Sequence, residues 1–317
     1  MRKRILITGG TGFIGSAIAK LIALENDVVI VDNNQRGFSR RLNIIKNKID
    51  FKNFDVRDEK KLIKASEGAD SIIHAAYVNG TETFYKKPKE IVDIAIRGML
   101  NVLKACEINK IKELILISSS EVYHHARIIP TPENIPLLIP DIKNPRFSYG
   151  GGKIASELML MSYCKENFDR AIVVRPHNVY GKDMGWEHVI PQIIDKINKL
   201  KKNNDQILNI QGDGSETRAF IHIDDFVNGF NFALKDGKHL DIINIGSQNE
   251  IKIIELVNII KKLMNSNCTI KSGKLREGST LRRCPDISKL KNFGFKTNIT
   301  LEESLKEIID WYINNPK

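Results

Sequence analysis

The first half of the chain alternates short, uninterrupted runs of hydrophobic residues with longer amphipathic stretches. Uninterrupted runs are typical of strands that are buried on both faces, and such strands belong to parallel sheets. The pattern therefore predicts a parallel sheet. Its strands are expected at residues 5–7, 28–31, 49–51, 71–73, 114–117 and 172–174.

The amphipathic stretches predict helices at residues 14–25, 59–67, 90–107 and 153–166. This alternation of strand and helix is typical of a doubly wound α/β fold. After residue 176 proline, glycine and loop-like segments intervene, with helices expected near 190–201, 223–234, 253–264 and 301–314. We therefore expect a parallel sheet domain over residues 1–176 and a smaller C-terminal α/β lobe over 177–317. The boundary is interleaved, and a cleft forms between the two at the carboxyl ends of the strands.

Composition excludes some classes of protein. The chain has 317 residues, of which 42% are hydrophobic and 27% charged, as in an ordinary folded protein. No apolar run approaches the roughly 20 residues that a membrane span needs, and the first one stops at Thr8, too early for a signal peptide. We therefore expect a cytoplasmic protein that does not insert into a membrane.

The net charge of +11 comes from 49 basic and 38 acidic residues that are dispersed along the chain. Dispersed charge favours a solvated surface over a nucleic-acid track, and it also suits an anionic small molecule. The four cysteines are widely separated and form no CxxC pair, so we expect reduced thiols and no metal site.

The segment from Thr8 to Gly15 reads TGGTGFIG and joins the first predicted strand to the first predicted helix. In that context glycines allow a tight turn at Gly9, Gly10 and Gly12, and close packing of helix on strand at Gly15. The helix would then offer its first backbone N–H groups, at Phe13 and Ile14, to a pyrophosphate. The segment therefore predicts a Rossmann-type dinucleotide site.

Asp32 ends the second predicted strand, where a carboxylate binds the adenosine ribose hydroxyls of a dinucleotide. Asn33 beside it is a further candidate contact. A carboxylate there repels the 2′-phosphate of NADP, so the sequence favours NAD. Arg36 and the pair Arg40 and Arg41 lie close by and would weaken that preference.

Tyr149 and Lys153 are spaced one helical turn apart, so they share a helix face. An ammonium near a phenol stabilises phenolate, which would make Tyr149 a base near neutral pH. Ser119 follows a predicted buried strand, and its hydroxyl is expected at the carboxyl end of that strand. The spacing YxxxK is weak evidence alone, but it is specific when it follows the glycine loop and the serine-rich strand end.

With these residues in this order, the whole chain resembles the extended short-chain dehydrogenase/reductase superfamily, in its NAD-dependent nucleotide-sugar epimerase/dehydratase branch. The resemblance implies that Tyr149 is the acid/base, that Lys153 tunes it and holds the nicotinamide ribose, and that Ser119 binds the reacting sugar oxygen. It also implies a nucleotide-diphosphate sugar as substrate, and a homodimer formed through the helices around residues 90–107 and 153–166.

Other segments resemble motifs of the same family. Asp55 and Val56 match its adenine-contacting pair, and His74, Ala75 and Ala76 match the floor of its cofactor site. The resemblance therefore implies that these five residues lie against NAD.

The substrate would be held by residues of the second half. Asn178 and Arg218 match positions that contact the diphosphate, and Val189 matches the nucleotide pocket. Arg276 lies where a second phosphate-binding arginine is expected, although the arginines at 282 and 283 compete for that assignment. Two guanidinium groups and an amide would suit a diphosphate.

Four histidines lie near these motifs. His74 and His177 fall in buried segments, where packed, hydrogen-bonded histidines are the commoner case. His124 and His125 are expected at the rim of the site, with a substrate contact as the alternative.

Ser120 and Glu121 are the positions that distinguish the possible reactions. Hexose 4,6-dehydratases of the family carry Asp-Glu here as acid and base, so Glu121 keeps the candidate base and Ser120 lacks the acid. Epimerases commonly have small residues at both positions, and uronate decarboxylases show a similar Ser-Glu pair. We expect a nucleotide-sugar epimerase that acts through a transient keto sugar with retained NAD. A 4,6-dehydratase, a uronate decarboxylase and a catalytically silent NAD-binding regulator stay open.

Overall fold

A seven-stranded parallel sheet forms the centre of the protein in the computed structural model, which describes residues 2–317. Its order is β11-β6-β5-β4-β1-β2-β3. The expected doubly wound sheet is therefore confirmed. The strands of the chain are β1 Arg4–Thr8, β2 Asp27–Asp32, β3 Ile49–Asn53, β4 Ser71–His74, β5 Glu113–Ile117, β6 Arg170–Pro176, β7 Val179–Tyr180, β8 Ile207–Asn209, β9 Thr217–Ala219, β10 Ile221–His222, β11 Ile242–Ile245, β12 Glu250–Lys252, β13 Thr269–Lys271 and β14 Arg282–Arg283.

Most of the helices lie close to the predicted positions. The helix that the hydrophobic pattern placed from residue 153 begins at Ser148, so Tyr149 lies in its first turn, in agreement with the helix face that Tyr149 and Lys153 were expected to share. The helices are α1 Phe13–Ile22, α2 Glu59–Ala65, α3 Thr81–Lys86, α4 Pro88–Asn109, α5 Ser148–Tyr163, α6 Val189–Asn203, α7 Ile223–Asp236, α8 Ile253–Leu263, α9 Ser288–Asn292 and α10 Leu301–Asn314.

Two hydrophobic cores cover the two faces of the main sheet. Ile18 of α1 and Phe226 of α7 belong to the core on one face. Leu62 of α2, Met99 of α4 and Leu160 of α5 belong to the core on the other. Burial on both faces explains why the strands are uninterrupted hydrophobic runs.

The second half of the chain builds its own core from α6, α8 and α10, around residues such as Ile194, Leu256 and Ile308. It also returns one strand to the main sheet, since β11 pairs in parallel with β6. The two halves are therefore joined by strand pairing as well as by side-chain packing.

The strand order reverses between β1 and β4, which pair with each other although the chain runs from β1 to β2. In a doubly wound sheet this switch point leaves a crevice at the carboxyl ends of the strands, where ligands bind. A deep cleft opens at that place, lined by Gly9 after β1, Asp32 at the end of β2, Ala75 after β4 and Ser118 after β5. None of the helices of residues 2–317 is long and apolar enough to cross a membrane.

Candidate active site

The glycine segment forms a close turn at the mouth of the cleft. Gly9 has φ +71°, a left-handed conformation, and a Cβ there would lie 2.5 Å from the backbone nitrogen of Ala76. A Cβ on Gly15 would lie 2.1 Å from the Gly9 carbonyl oxygen. Gly12 caps α1 without a side-chain hydrogen bond, so the first turn of the helix offers its N–H groups to a ligand.

The next residues along the cleft form its adenosine end. The Asp32 carboxylate accepts hydrogen bonds from the backbone nitrogens of Thr11 (3.0 Å) and Asn34 (2.8 Å), which fix its orientation. Asn33 donates to Asp55 (2.9 Å). A hydrogen bond from the Arg57 side chain is the main cause that lowers the pKa of Asp55. These contacts hold two carboxylates in place, Asp32 at the end of β2 and Asp55 just after β3.

Arginines that follow Asp32 are paired with acidic residues of the second half of the chain. Arg41 is buried and binds the Asp183 carboxylate, with Nε 3.0 Å from Oδ2. Arg36 binds Glu187 at 2.9 Å. We expected such arginines to weaken the preference for NAD, but Arg36 and Arg41 are each held by a carboxylate.

Tyr149 lies at the opposite end of the cleft, beside Ser119. Its ring stacks on Phe84 and meets Tyr77 edge-on, each at a centroid distance of 4.9 Å. Burial raises the pKa of Tyr149 to about 12, and a side-chain hydrogen bond with Ser119 acts in the opposite direction. Burial thus outweighs the groups that favour ionisation of Tyr149 in the NAD-free protein, and its role as a base near neutral pH stays a prediction.

Lys153 lies one turn further along α5, and its side chain is buried in the cleft wall. Its ammonium donates to the Ile117 carbonyl oxygen (2.7 Å) and lies 4.1 Å from the centroid of the Tyr77 ring. Burial lowers the pKa of Lys153 to about 7, and the charge of Glu157 opposes this shift. A lysine in this state exchanges its proton near neutral pH, which is typical of functional sites.

Glu121 is held by two arginines at the reacting end. Its carboxylate accepts from Arg146 (2.9 Å to Oε2) and from Arg283 (2.9 Å to Oε1). Burial opposes ionisation of Glu121, but the charges of Arg283 and Arg146 outweigh it and lower the pKa to about 2. Glu121 is therefore a fixed anion and a poor base at neutral pH.

Most of the residues singled out from the sequence meet in this one cleft, although they come from seven separate segments of the chain. Those that line it are Gly9, Gly12, Phe13, Ile14, Gly15, Asp32, Asn33, Asp55, Val56, Ala75, Ala76, Ser119, Ser120, Glu121, Tyr149, Lys153 and Asn178.

Four others lie outside its lining. His74 is buried behind it and hydrogen-bonded to Thr8 (2.7 Å), and burial lowers its pKa to about 3. Val189 begins α6 and packs into the core of the second half. Arg218 donates to the Thr280 carbonyl (2.7 Å). Arg276 lines a separate groove beside α3.

His124 differs from the rim position that the sequence suggested. It is buried, and its ring meets Phe147 edge-on at 4.8 Å, just before the helix that carries Tyr149. Burial lowers the pKa of His124 to about 4. His125 is exposed. His177 is packed as expected, with Nε2 3.0 Å from Asn244 Oδ1.

Sequence reasoning missed several residues of the reacting end. Arg146 and Phe84 were not singled out. Arg283 was considered only as an alternative to Arg276 for the second phosphate-binding position. The register of β14 on β9 sets Arg283 beside Arg218, and only that pairing reveals its place. No local pattern marks either Phe84 or Arg146. Phe84 comes from α3, far before Tyr149 in sequence, and Arg146 lies in a short helical turn just before α5 that carries no recognisable motif.

Comparison with known families agrees with this geometry. The description "NAD dependent epimerase/dehydratase family" matches residues 5–246. The chain belongs to this family. It is therefore an NAD-dependent enzyme, and the NAD-binding regulator without catalytic activity is set aside.

Relatives span several reactions within the family. The chain is 32% identical to the "Putative UDP-glucose 4-epimerase" of Methanocaldococcus jannaschii over 98% of its length and 99% of the relative. It is 31% identical to the UDP-N-acetyl-alpha-D-glucosaminuronate decarboxylase of Bacillus cytotoxicus, over 98% of both chains.

A solved structure gives the same picture. The UDP-N-acetylglucosamine 4-epimerase of Methanobrevibacter ruminantium is 28% identical and superimposes with a TM-score of 0.86 over 99% of each chain.

NAD is the cofactor of the family, and the cleft fits it. Glycines leave room where a Cβ would fill the phosphate cradle, and the Asp32 carboxylate is oriented at the end of β2 for the ribose hydroxyls. The buried Tyr149 and Lys153 lie at the far end, where the nicotinamide would meet the sugar.

Proposed function

We propose that the chain is a nucleotide-sugar epimerase that keeps its NAD through turnover. When bound, NAD supplies a hydride acceptor and donor. In its ionised form Tyr149 takes the proton of a sugar hydroxyl on its phenolate oxygen as that carbon is oxidised, and the resulting phenol returns the proton when the ketone is reduced from the other face. Ser119 orients the reacting oxygen, and Lys153 favours the ionised form of Tyr149 and holds the nicotinamide ribose.

The observation that carries this proposal is the pairing of Glu121 with Arg146 and Arg283. Elimination of water from a keto sugar needs a base for a carbon-bound proton and an acid for the leaving hydroxide. A carboxylate with a pKa of about 2 serves as neither at neutral pH. This leaves Tyr149 and Ser119 as the proton-handling groups, which is enough for epimerisation and too little for dehydration.

The substrate diphosphate is proposed to lie toward the second half of the chain. Asn178 lines the cleft on that side, and its amide donates to the Ala219 carbonyl (3.0 Å) next to Arg218. Arg218 and Arg283 are neighbours on paired strands, so they form a positive surface for phosphate oxygens. Val189 and Arg276 are proposed as more distant contacts, on the nucleotide and in the outer groove.

Incubation with candidate nucleotide sugars, followed by NMR, tests the reaction. UDP-hexoses and UDP-N-acetylhexosamines come first, because the relatives named above act on UDP-linked sugars. We expect an equilibrium mixture of two epimers with no net change in NAD. A 4-keto-6-deoxy product as the main outcome would contradict the proposal.

Uronate decarboxylation is the second candidate, and the charge balance of the reacting end favours it. Two guanidinium groups face one carboxylate there, which leaves net positive charge beside the cleft. A sugar carboxylate would be attracted to that charge. Release of CO₂ from a UDP-uronate, with a pentose product by NMR, would establish this reaction in place of epimerisation.

A homodimer is proposed through α4 and α5, which pack against each other. Val92 and Leu100 of α4 and Leu158 of α5 are 43%, 40% and 66% exposed. Large apolar side chains on adjoining helices are typical of an interface. Sedimentation at micromolar concentration should give a dimer, and Leu158→Glu should give a monomer. A cytoplasmic location and the lack of nucleic-acid binding stay predictions from the sequence.

A further inference from the structure

Two segments from opposite halves of the chain meet across the mouth of the NAD cleft. We call residues 33–41 the arginine segment and residues 181–188 the acidic segment. Arg36 and Arg41 of the first line the cleft, and Met184 and Glu187 of the second line it from the other side. Neither segment supplies a group to the sugar chemistry described above.

Arg41 makes the central contact between the segments. Its guanidinium donates to the Asp183 carboxylate (3.0 Å to Oδ2) and to the Asp183 carbonyl (2.5 Å). The same group donates to the Thr11 carbonyl (3.0 Å) in the glycine segment. Arg41 therefore ties the phosphate-binding turn directly to the acidic segment, and its side chain is only 6% exposed.

Further contacts reinforce this one. Arg40 donates to Asp183 Oδ1 (2.8 Å), and the Phe38 ring lies under both guanidinium groups, at 4.2 and 4.9 Å. Arg36 pairs with Glu187 at 2.9 Å, with each side chain about one-third exposed. We call these contacts between the two segments the bridge. It has a buried centre, Arg41 with Asp183, and a more exposed outer pair, Arg36 with Glu187.

The acidic segment is in turn fixed to the second half of the chain. Tyr312 of α10 donates to the Gly185 carbonyl (3.5 Å), and its ring meets Trp186 edge-on at 4.7 Å. Asp183 has φ +58°, a left-handed conformation that aspartate and asparagine tolerate better than other side chains. The bridge therefore joins two rigid supports, the glycine turn and the C-terminal helix.

We propose that Asp183 and Glu187 retain NAD: by pairing with Arg41 and Arg36 they close the mouth of the cleft over the cofactor. NAD held by the glycine segment and Asp32 would lie beneath this bridge, because Arg41 binds the Thr11 carbonyl of that segment. Its release then requires the segments to part, and parting exposes a buried ion pair. The inference depends on NAD being the cofactor and is independent of which sugar reaction the enzyme performs.

The test measures release of NAD from the full-length, NAD-loaded enzyme without any sugar. Released NAD is trapped by an excess of an unrelated dehydrogenase with its substrate, and NADH fluorescence gives the rate. Asp183→Asn keeps the left-handed backbone and removes the charge, and we expect release to rise about tenfold or more. Glu187→Gln should raise it about threefold, because that pair is partly screened by solvent.

Lys182→Met is the matched control. Lys182 belongs to the acidic segment but pairs with Glu307 of α10, with both side chains about half exposed. This substitution should leave the release rate unchanged. Equal acceleration by Lys182→Met would show a general loosening of the segment and would overturn the proposal.

Release at the wild-type rate from folded Asp183→Asn would also overturn it. If that variant fails to fold, Glu187→Gln decides, and a wild-type rate in this second variant rejects the proposal. An increase of the wild-type release rate with salt supports it, since the outer pair is exposed enough to be screened. A rate independent of salt argues against the outer pair.

Discussion

The two ends of the cleft are built in different ways. The cofactor end comes mostly from one continuous stretch, β1 to β2, and works through backbone turns and the oriented carboxylate of Asp32. The reacting end gathers Ser119, Tyr149, Glu121 and Arg283 from separate parts of the chain. A dinucleotide phosphate needs a shaped backbone, whereas moving protons needs side chains brought together by tertiary folding.

The ends also differ in how far burial shifts the pKa values of their groups. Burial raises the pKa of Tyr149 to about 12 and lowers that of Lys153 to about 7. Such opposed shifts in neighbouring groups are typical of acid–base chemistry. The reacting end therefore holds Tyr149 and Lys153 in environments that disfavour their charged forms, which for Lys153 costs stability below about pH 7.

A second buried ion pair supports that end from behind. Arg175 of β6 binds Glu157 of α5 (2.6 Å), one turn after Lys153, and also donates to the Tyr123 hydroxyl (2.6 Å). Glu157 additionally accepts a hydrogen bond from Ser118. The pair thus joins the helix of Tyr149 and Lys153 to the strand end that carries Ser119.

The largest expected effect is that of Tyr149→Phe, which should impair the reacting end and leave the cofactor end intact. Removing the hydroxyl should lower kcat about a thousandfold, because general acid–base groups contribute roughly 10²–10⁴ in rate. The NAD content should stay unchanged, since the phenylalanine ring still packs on Phe84. Turnover by NMR and NAD per chain after gel filtration measure both. Tyr163→Phe, at the exposed end of the same helix, is the control, and unchanged turnover in Tyr149→Phe would disprove the assigned role.

This contrast explains what the sequence could predict. Strands and helices of the sheet followed from hydrophobic runs, and the cofactor end followed from the glycine segment and Asp32, because all of these signals are local. Tyr149, Lys153 and Ser119 were found because their spacing is also a motif.

Charge pairing across the cleft could not be predicted in this way. The partners Glu121 and Arg283 are separated by 162 positions, and Arg41 and Asp183 by 142. Sequence alone made Glu121 a free base, and Arg36 and Arg41 free cations. Only the tertiary contacts show that each of these charges has a partner. The pairing makes Glu121 a poor base and ties the two arginines to carboxylates.

The second prediction concerns Glu121 and acid stability. Its pKa in the folded protein is about 2, below the ordinary 4.5, so its contribution is present above about pH 4.5 and is lost as pH falls toward 2. Unfolding free energies by urea at each pH should show a loss of about 3 kcal/mol from this group. Glu121→Gln should remove that part of the slope. Glu59→Gln, at an exposed pair with Lys104, should leave it intact, and parallel curves for wild type and Glu121→Gln would contradict the buried pairing.

Lys153→Met should stabilise the NAD-free protein while it lowers turnover. The pKa of Lys153 is about 7 in the folded state against 10.5 for a free lysine, so burying its charge costs most below pH 7. We expect the unfolding free energy to rise by about 2 kcal/mol at pH 6, with the gain shrinking as pH rises from 7 to 10.5. Lys112→Met, at an exposed lysine, should show no such gain. A loss of stability at pH 6 would mean that the hydrogen bond to Ile117 outweighs desolvation.

The smallest effect is expected at the cofactor end, from Asp32→Asn. Asparagine keeps an acceptor for only one of the Thr11 and Asn34 nitrogens, because each bonds a different oxygen of Asp32, and it loses the charge that binds ribose hydroxyls and repels a 2′-phosphate. Affinity for NAD should fall about tenfold, or about 1.4 kcal/mol, and affinity for NADP should change little. Titration of the NAD-free enzyme with each cofactor measures this, and Asp27→Asn at the exposed start of the same strand is the control. If kcat at saturating NAD stays at the wild-type value, the two ends act independently. A fall in kcat would show that the position of the adenosine affects catalysis at Tyr149.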